Sequence, residues 1–168
     1  MTTSPAALAR QLSELTFASG WAEGVVNELA TIARLVKFPA GAVIFSQRSH
    51  NPDLYLICSG RVALDMHVPA RGAVRILTVG RGELLAWSAL IGDGHMTARA
   101  TALDSVDAIA INGQHLSDLC ERRHDIGFRV MQQLSWSLAH RLTATRLQLL
   151  DLFTHQTPHV LPSADEVR

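Results

Sequence analysis

The chain predicts an α+β fold class, a β-sandwich or barrel set between helical ends. Three observations carry that reading. Apolar residues recur at helical spacing at both ends of the chain. Between about Phe38 and Ile111 they change to short alternating runs. Glycine and proline punctuate those runs at short intervals, which suits a sandwich or barrel and not a βαβ fold. The length of 168 residues, 48% apolar and 18% charged, fits one globular domain with its own core.

The elements follow in order. In "SPAALARQLSEL", Ser4 is an N-cap and Pro5 takes the first helical position. Leu8, Leu12 and Leu15 recur on one face of that helix. In "WAEGVVNELATIARLVKF", Val25, Leu29, Ile32 and Leu35 share a face, so a second helix is expected to run on until Pro39 and Gly41 end it. "GAVIF" reads as a short strand. "DLYLICSGRVALDMHV" reads as two strands broken at Ser59-Gly60, the second with Val62, Leu64, Met66 and Val68 alternating with Arg61, Ala63, Asp65 and His67. "PARGAV" is a turn and "AVRILTV" the returning strand. "GRG" at 80–82 is another turn, and "ARATALDSVDAIAI" gives two strands split at Asp104-Ser105. "GQHLSDLCERR" is a short helix. A long helical stretch from His124 to about Phe153 contains no proline, and Gly127 is its only glycine. There Ile126, Val130, Leu134, Leu138 and Leu142 fall every fourth residue, a stripe that drifts around the helix and departs from a strict heptad. A helix of about 30 residues is about 45 Å long. Its apolar surplus is expected to pack against a second copy. Residues 154–168 read as a loose tail.

Composition narrows function. Fifteen basic and fifteen acidic residues balance, and Lys37 is the only lysine, so no basic face for nucleic acid is evident. The start of the chain is no signal peptide, and no run reaches the eighteen apolar residues of a membrane span. A cytoplasmic location is expected. Cys58 and Cys120 match no metal or redox spacing and are expected as buried free thiols. None of the eight histidines stands two residues from another or two ahead of a carboxylate, so no metal site is expected. That argues against a metal-dependent enzyme of the cupin type. No nucleophile–base arrangement is visible, so catalysis is not expected.

Several motifs together resemble the cyclic nucleotide-binding domain of the catabolite-activator and FNR-type regulators. They are "FPAGAVIF" with Gly41 at the turn, then Asp53, Tyr55, Ile57, Gly60 and Val62 of "DLYLICSGRV", the Gly80-x-Gly82-Glu83 turn, the segment ending at Ala89-Leu90, and "ATALDSV". The resemblance covers about residues 20–153 and implies a jelly-roll-like β-barrel flanked by N-terminal helices and a long C-terminal helix. It implies residues 1–37 as N-terminal helices, 38–112 as the barrel with a phosphate-cassette-like loop at 80–101, 113–153 as C-terminal helices and 154–168 as a flexible tail. In such a cassette, a short helix after a Gly-rich turn presents N–H groups to a phosphate, an Arg neutralises it, and a Glu accepts from the ribose.

This chain departs from that pattern. The family's Gly-Glu-x-Ala-Leu falls on Ala86, Trp87, Ser88, Ala89 and Leu90, so Trp87 replaces the ribose carboxylate. The phosphate Arg falls on Met96, and Thr97 matches the small hydroxyl that follows it. Arg99, on the same strand face as Thr97 and Thr101, is expected to reach the pocket from a shifted position. The expected ligand-binding residues are therefore Ala86, Trp87, Ser88, Thr97, Arg99 and Thr101. Glu83 is expected to cap the cassette helix or to accept hydrogen bonds within the turn.

The leading expectation is a stand-alone regulatory module that senses a small anionic ligand, a cyclic nucleotide or another nucleotide. It would signal through a homodimer formed by helix 124–153. The alternative is a ligand-free protein-interaction domain in which Trp87 and Met96 fill the former pocket. Transcription factors of the family place a helix-turn-helix after the long helix. About fifteen residues follow Phe153 here, too few for it, so this chain alone is not expected to read DNA.

Overall fold

The computed structural model describes residues 4–154. The chain divides into two compact units, Met1–Ser137 and Leu138–Arg168. The first unit opens with α1 (Pro5–Ser13), whose N–H at Ala7 donates to Ser4 Oγ at 3.3 Å. A single 3₁₀ turn (Thr16–Ala18) leads to α2 (Glu23–Thr31). Eight strands follow: β1 (Ala33–Phe38), β2 (Val43–Phe45), β3 (Asp53–Ser59), β4 (Val62–Val68), β5 (Gly72–Val79), β6 (Leu84–Leu85), β7 (Arg99–Ala102) and β8 (Val106–Asn112). A short helix α3 (Ser88–Ile91) interrupts them, and α4 (Gly113–Arg122) and α5 (His124–Thr154) close the order. The second unit, among the described residues, is the part of α5 from Leu138 onward. The tail reading for 154–168 lies outside the described residues apart from Thr154, which belongs to α5.

The strands form two antiparallel four-stranded sheets, ordered β1-β8-β3-β6 and β2-β7-β4-β5. Their inner faces meet in one apolar core. It includes Phe45, Tyr55, Ile57, Val62, Leu64 and Met96, together with a lining of alanines at 86, 98, 100, 102, 108 and 110. The two sheets differ on their outer faces. In the first, Leu54, Leu56, Ile109 and Ile111 are buried as completely as the inward residues between them, because helices cover that side. Such strands read as continuous apolar runs, "LYLI" and "AIAI", for that reason. In the second, Val43, Arg75, Thr78 and Arg99 stand exposed.

One boundary differs from the sequence expectation. The second helix ends at Thr31, and residues 33–38, expected as its continuation, are β1. Six register pairs from Ala33↔Ile111 to Phe38↔Val106 hold that strand. Lys37 Nζ lies 3.2 Å from Asp107 Oδ1, its direct cross-strand partner. Ladder hydrogen bonds to β8 outweigh the helical spacing of Ile32 and Leu35. The barrel therefore begins before residue 38.

The long helix also sorts its apolar residues differently. Ile126, Val130 and Leu134 of the every-fourth stripe are at most 3% exposed, so they belong to the core of the first unit. Phe128 (69%), Met131 (39%) and Trp136 (63%) are the large apolar side chains left outside there, and Leu142 (52%), Leu147 (58%) and Leu150 (61%) among the described residues of the second unit. Cys58 and Cys120 are free and half-buried, and burial pushes both thiols up from their ordinary pKa.

Candidate functional site

The segment from Gly80 to Met96 links β5 to β7, both in the second sheet, and pairs with the first sheet on the way through β6. Its opening turn is closed by Glu83, whose Oε2 accepts from the Gly80 N–H at 2.6 Å, one of the two roles expected of it. After β6 comes Ala86 with φ of 62°, in the left-handed region that disfavours a side chain. Its methyl group is buried in the barrel core. The Ala89 N–H donates back to the Ala86 carbonyl at 3.1 Å, and that turn starts α3. A strained, buried alanine in place of the family's glycine indicates that the surrounding structure imposes the cassette conformation.

Trp87 does not point into the barrel. It is half-buried and lines a small apolar cavity together with Phe17, Leu54, Leu84, Leu116 and Val130, between the covered face of the first sheet and the helices. Of the two residues expected to fill the former pocket, Met96 lies in the barrel core at 3% exposure, whereas Trp87 lies outside it. Ser88, the first residue of α3, is 6% exposed. The Gly94 N–H donates to the Ser88 carbonyl at 3.1 Å, folding the following loop back on the helix.

Thr97, Arg99 and Thr101 share a face, as expected, but it is the outer one. Ala98, Ala100 and Ala102 point inward, at 3% exposure or less. Arg99 pairs across the ladder with Asp65, which on its other side holds Arg75 at Nε–Oδ1 3.0 Å. The expectation that Arg99 faces the pocket is thus corrected. Strand alternation assigns the inward positions to the small residues and leaves the long cation to solvent. The six expected residues are not brought together: Ala86 faces the interior, Trp87 the helical layer, and Thr97 and Arg99 the solvent.

Among the described residues, no cation lines the barrel core. The buried polar or charged side chains among them are Asn51, Asp53 and Ser88. The one polar handle within the core is Tyr55. Its O–H donates to Asn51 Oδ1 at 3.0 Å, and its ring stands edge-on to Phe38. Desolvation, with a smaller contribution from the nearby Asp53 charge, pushes the Tyr55 pKa up to about 12. Asn51 Nδ2 donates to the Asp53 carbonyl, and the Asn51 N–H donates to Gly94 O at 2.9 Å. A chain of hydrogen bonds therefore runs from the barrel interior to the cassette loop. Asp53 itself is gripped by both terminal nitrogens of Arg34, which ties β3 to β1 across β8 and raises the Arg34 pKa.

The cassette also touches α4 backbone to backbone. A Cβ at Gly113, the first residue of α4, would collide with the Ala89 carbonyl, so only glycine permits this approach. Neither this contact nor the Asn51–Gly94 bond has a signal in sequence spacing, because the partners are distant along the chain. Asn112 caps α4, its Oδ1 accepting from the N–H groups of Gln114 and His115.

Comparison with known proteins places this geometry. The cyclic nucleotide-binding domain family model matches residues 35–123. The chain is 29% identical over 154 residues to a CRP-like cAMP-activated global transcriptional regulator of Mycobacterium tuberculosis, covering 88% of this chain and 66% of the regulator. The chain thus spans slightly less than two thirds of that relative. The crystal structure of the Thermus thermophilus catabolite activator protein superposes with a TM-score of 0.66 at 27% identity, over 82% of this chain and 62% of that one. A regulatory subunit of a cAMP-independent protein kinase A from Trypanosoma cruzi, bound to guanosine, shares the fold with a TM-score of 0.63 at 17% identity, over 71% of this chain and 42% of that one.

Proposed function

Because the chain belongs to the cyclic nucleotide-binding domain family, we infer that it is a regulatory ligand-sensing module and not a catalyst. We place its ligand site in the barrel interior beneath Ala86, Ser88 and Met96. The observation that carries the choice of ligand is Met96, buried where the family places its phosphate arginine, in an interior without a cation among the described residues. A phosphodiester there would be left uncompensated, at a cost of several kcal/mol. The ligand expected from sequence was anionic; the geometry favours an uncharged, flat one of nucleoside type. The guanosine-bound kinase subunit supports the idea that this fold holds such a molecule. Binding would act on α3, pass to α4 through the Ala89–Gly113 contact and reach α5.

The output is proposed to be a homodimer built on α5, where Phe128, Met131 and Leu142 present exposed apolar surface. No helix among the described residues is long and apolar enough to cross a membrane. Calorimetric titration with cAMP, cGMP, adenosine and guanosine tests the reading. A nucleoside binding at least tenfold tighter than either cyclic nucleotide supports it; tighter binding of cAMP would overturn it. The second reading, a ligand-free interaction domain, is favoured by the continuity of the apolar core around Met96. It predicts that none of the four compounds binds.

A further inference from the structure

The loop between β2 and β3 lies beside the loop that follows α3, and the two place His50 directly opposite His95. The Asn51 N–H donates to Gly94 O at 2.9 Å, and the Met96 N–H donates to Ser49 O at 3.0 Å. These two bonds flank the histidine pair. That is the non-hydrogen-bonded position of an antiparallel ladder, where facing side chains come closest. The ring centroids are 5.8 Å apart and the planes nearly perpendicular, at 82°. Both side chains are exposed to solvent.

Two further contacts hold the rings. Asp93 Oδ2 lies 3.2 Å from His95 Nδ1, and the His95 backbone N–H donates to Asp93 Oδ1 at 3.0 Å. This backbone bond is the main cause that holds the Asp93 carboxyl below its ordinary range. Asp93 beside Nδ1 leaves Nε2 as the nitrogen to present to an ion, which is how a metal-ligating histidine is commonly oriented. The His50 ring lies over Gly94, whose φ is 76°; a Cβ there would come within 2.7 Å of His50 Nε2.

The spacing suits an ion. Imidazole nitrogens bind zinc at about 2.0–2.1 Å, so two rings on one tetrahedral ion have centroids about 5 Å apart. The observed 5.8 Å is within about 1 Å of that separation. Among the described residues no group of three or more His, Cys, Asp or Glu side chains converges, so the chain supplies two ligands.

We propose that His50 and His95 chelate a divalent transition-metal ion of the zinc, nickel and copper class, with Asp93 orienting His95 and water completing the coordination. Imidazole suits these ions, and Cu²⁺ binds most tightly among them. The ion joins the β2–β3 loop to the cassette loop one residue before Met96. The pair faces solvent whereas the proposed ligand site lies in the barrel interior, and the ion does not depend on that site.

The test uses the full chain carrying His155→Ala and His159→Ala, which removes the other closely spaced imidazoles. Cu²⁺ titrated into this protein by calorimetry is expected to bind one ion per chain. His50→Ala or His95→Ala should weaken that binding by at least about tenfold, and Asp93→Ala by about tenfold. Affinity unchanged within about twofold in both histidine variants would overturn the site. A second measurement needs no site variant: substoichiometric Cu²⁺ should broaden the imidazole resonances of His50 and His95 first. Broadening confined to His67, His115, His124 or His140 would overturn it equally.

Discussion

Tyr55 is the only tyrosine of the chain, so its ionisation can be followed without assignment. Its phenol is desolvated in the barrel and hydrogen-bonded to Asn51. The near-ultraviolet phenolate absorbance of the folded protein should rise with a midpoint at about 12, against about 10 for an exposed tyrosine. The folded pKa is raised, so the neutral phenol's contribution to stability is complete below pH about 10 and is lost as pH climbs towards about 12. Tyr55→Phe should flatten the alkaline fall in urea-denaturation stability over that window. Ala86 offers a second residue-scale comparison. Removing a buried methyl group and gaining glycine's backbone freedom costs about 1–2 kcal/mol in a strand. Ala100→Gly, fully buried in β7, should lose that amount in urea denaturation. At Ala86 the same loss is offset by relief of about 1–2 kcal/mol of left-handed strain, so Ala86→Gly should be close to neutral.

Among the elements, the contact between α3 and α4 is the most exacting. Gly113→Ala sets a methyl group against the Ala89 carbonyl, so one helix must move. A loss of about 1–3 kcal/mol in thermal or urea unfolding is the expected overpacking penalty. The elements were also where the sequence was most informative. β2 to β5, β7, β8, α4 and the extent of α5 were visible as alternation, turn residues and caps. β1 was not, because the periods of Ile32 and Leu35 match a helix until β8 supplies hydrogen-bond partners. The site was less legible than the fold. Spacing placed Thr97, Arg99 and Thr101 on one face of a strand, but it carries no information on which face is inward. That is decided by Ala98, Ala100 and Ala102, the residues small enough for the core. The His50–His95 pairing was hidden for a related reason: it is made by two loops, and a search for ligands along one strand does not see it.

For the whole molecule, the property to test is the proposed assembly through α5. The first unit keeps Ile126, Val130 and Leu134 for its own core and leaves Phe128 outside at 69% exposure; Leu142 is 52% exposed in the second unit. A paired Phe128→Asp and Leu142→Asp variant should sediment as a monomer at micromolar concentration where the parent chain sediments as a dimer. Because both side chains are exposed, the change should leave the unfolding of the first unit within about 0.5 kcal/mol. A parent chain that is itself monomeric would remove α5 from the proposed route of output.

The unequal cover of the two sheets bears on how the molecule opens. Backbone amides of β3 and β8, with apolar layers on both sides, should exchange with deuterium only through global unfolding, whereas β5, at the edge of the solvent-facing sheet, should exchange through local opening. The cassette leaves one sheet at β6 and enters the other at β7. It is therefore tethered at one end to a slowly opening sheet and at the other to a more readily opening one. Protection of the β7 amides, and not of β3 or β8, is then the reading that tracks an occupied cassette.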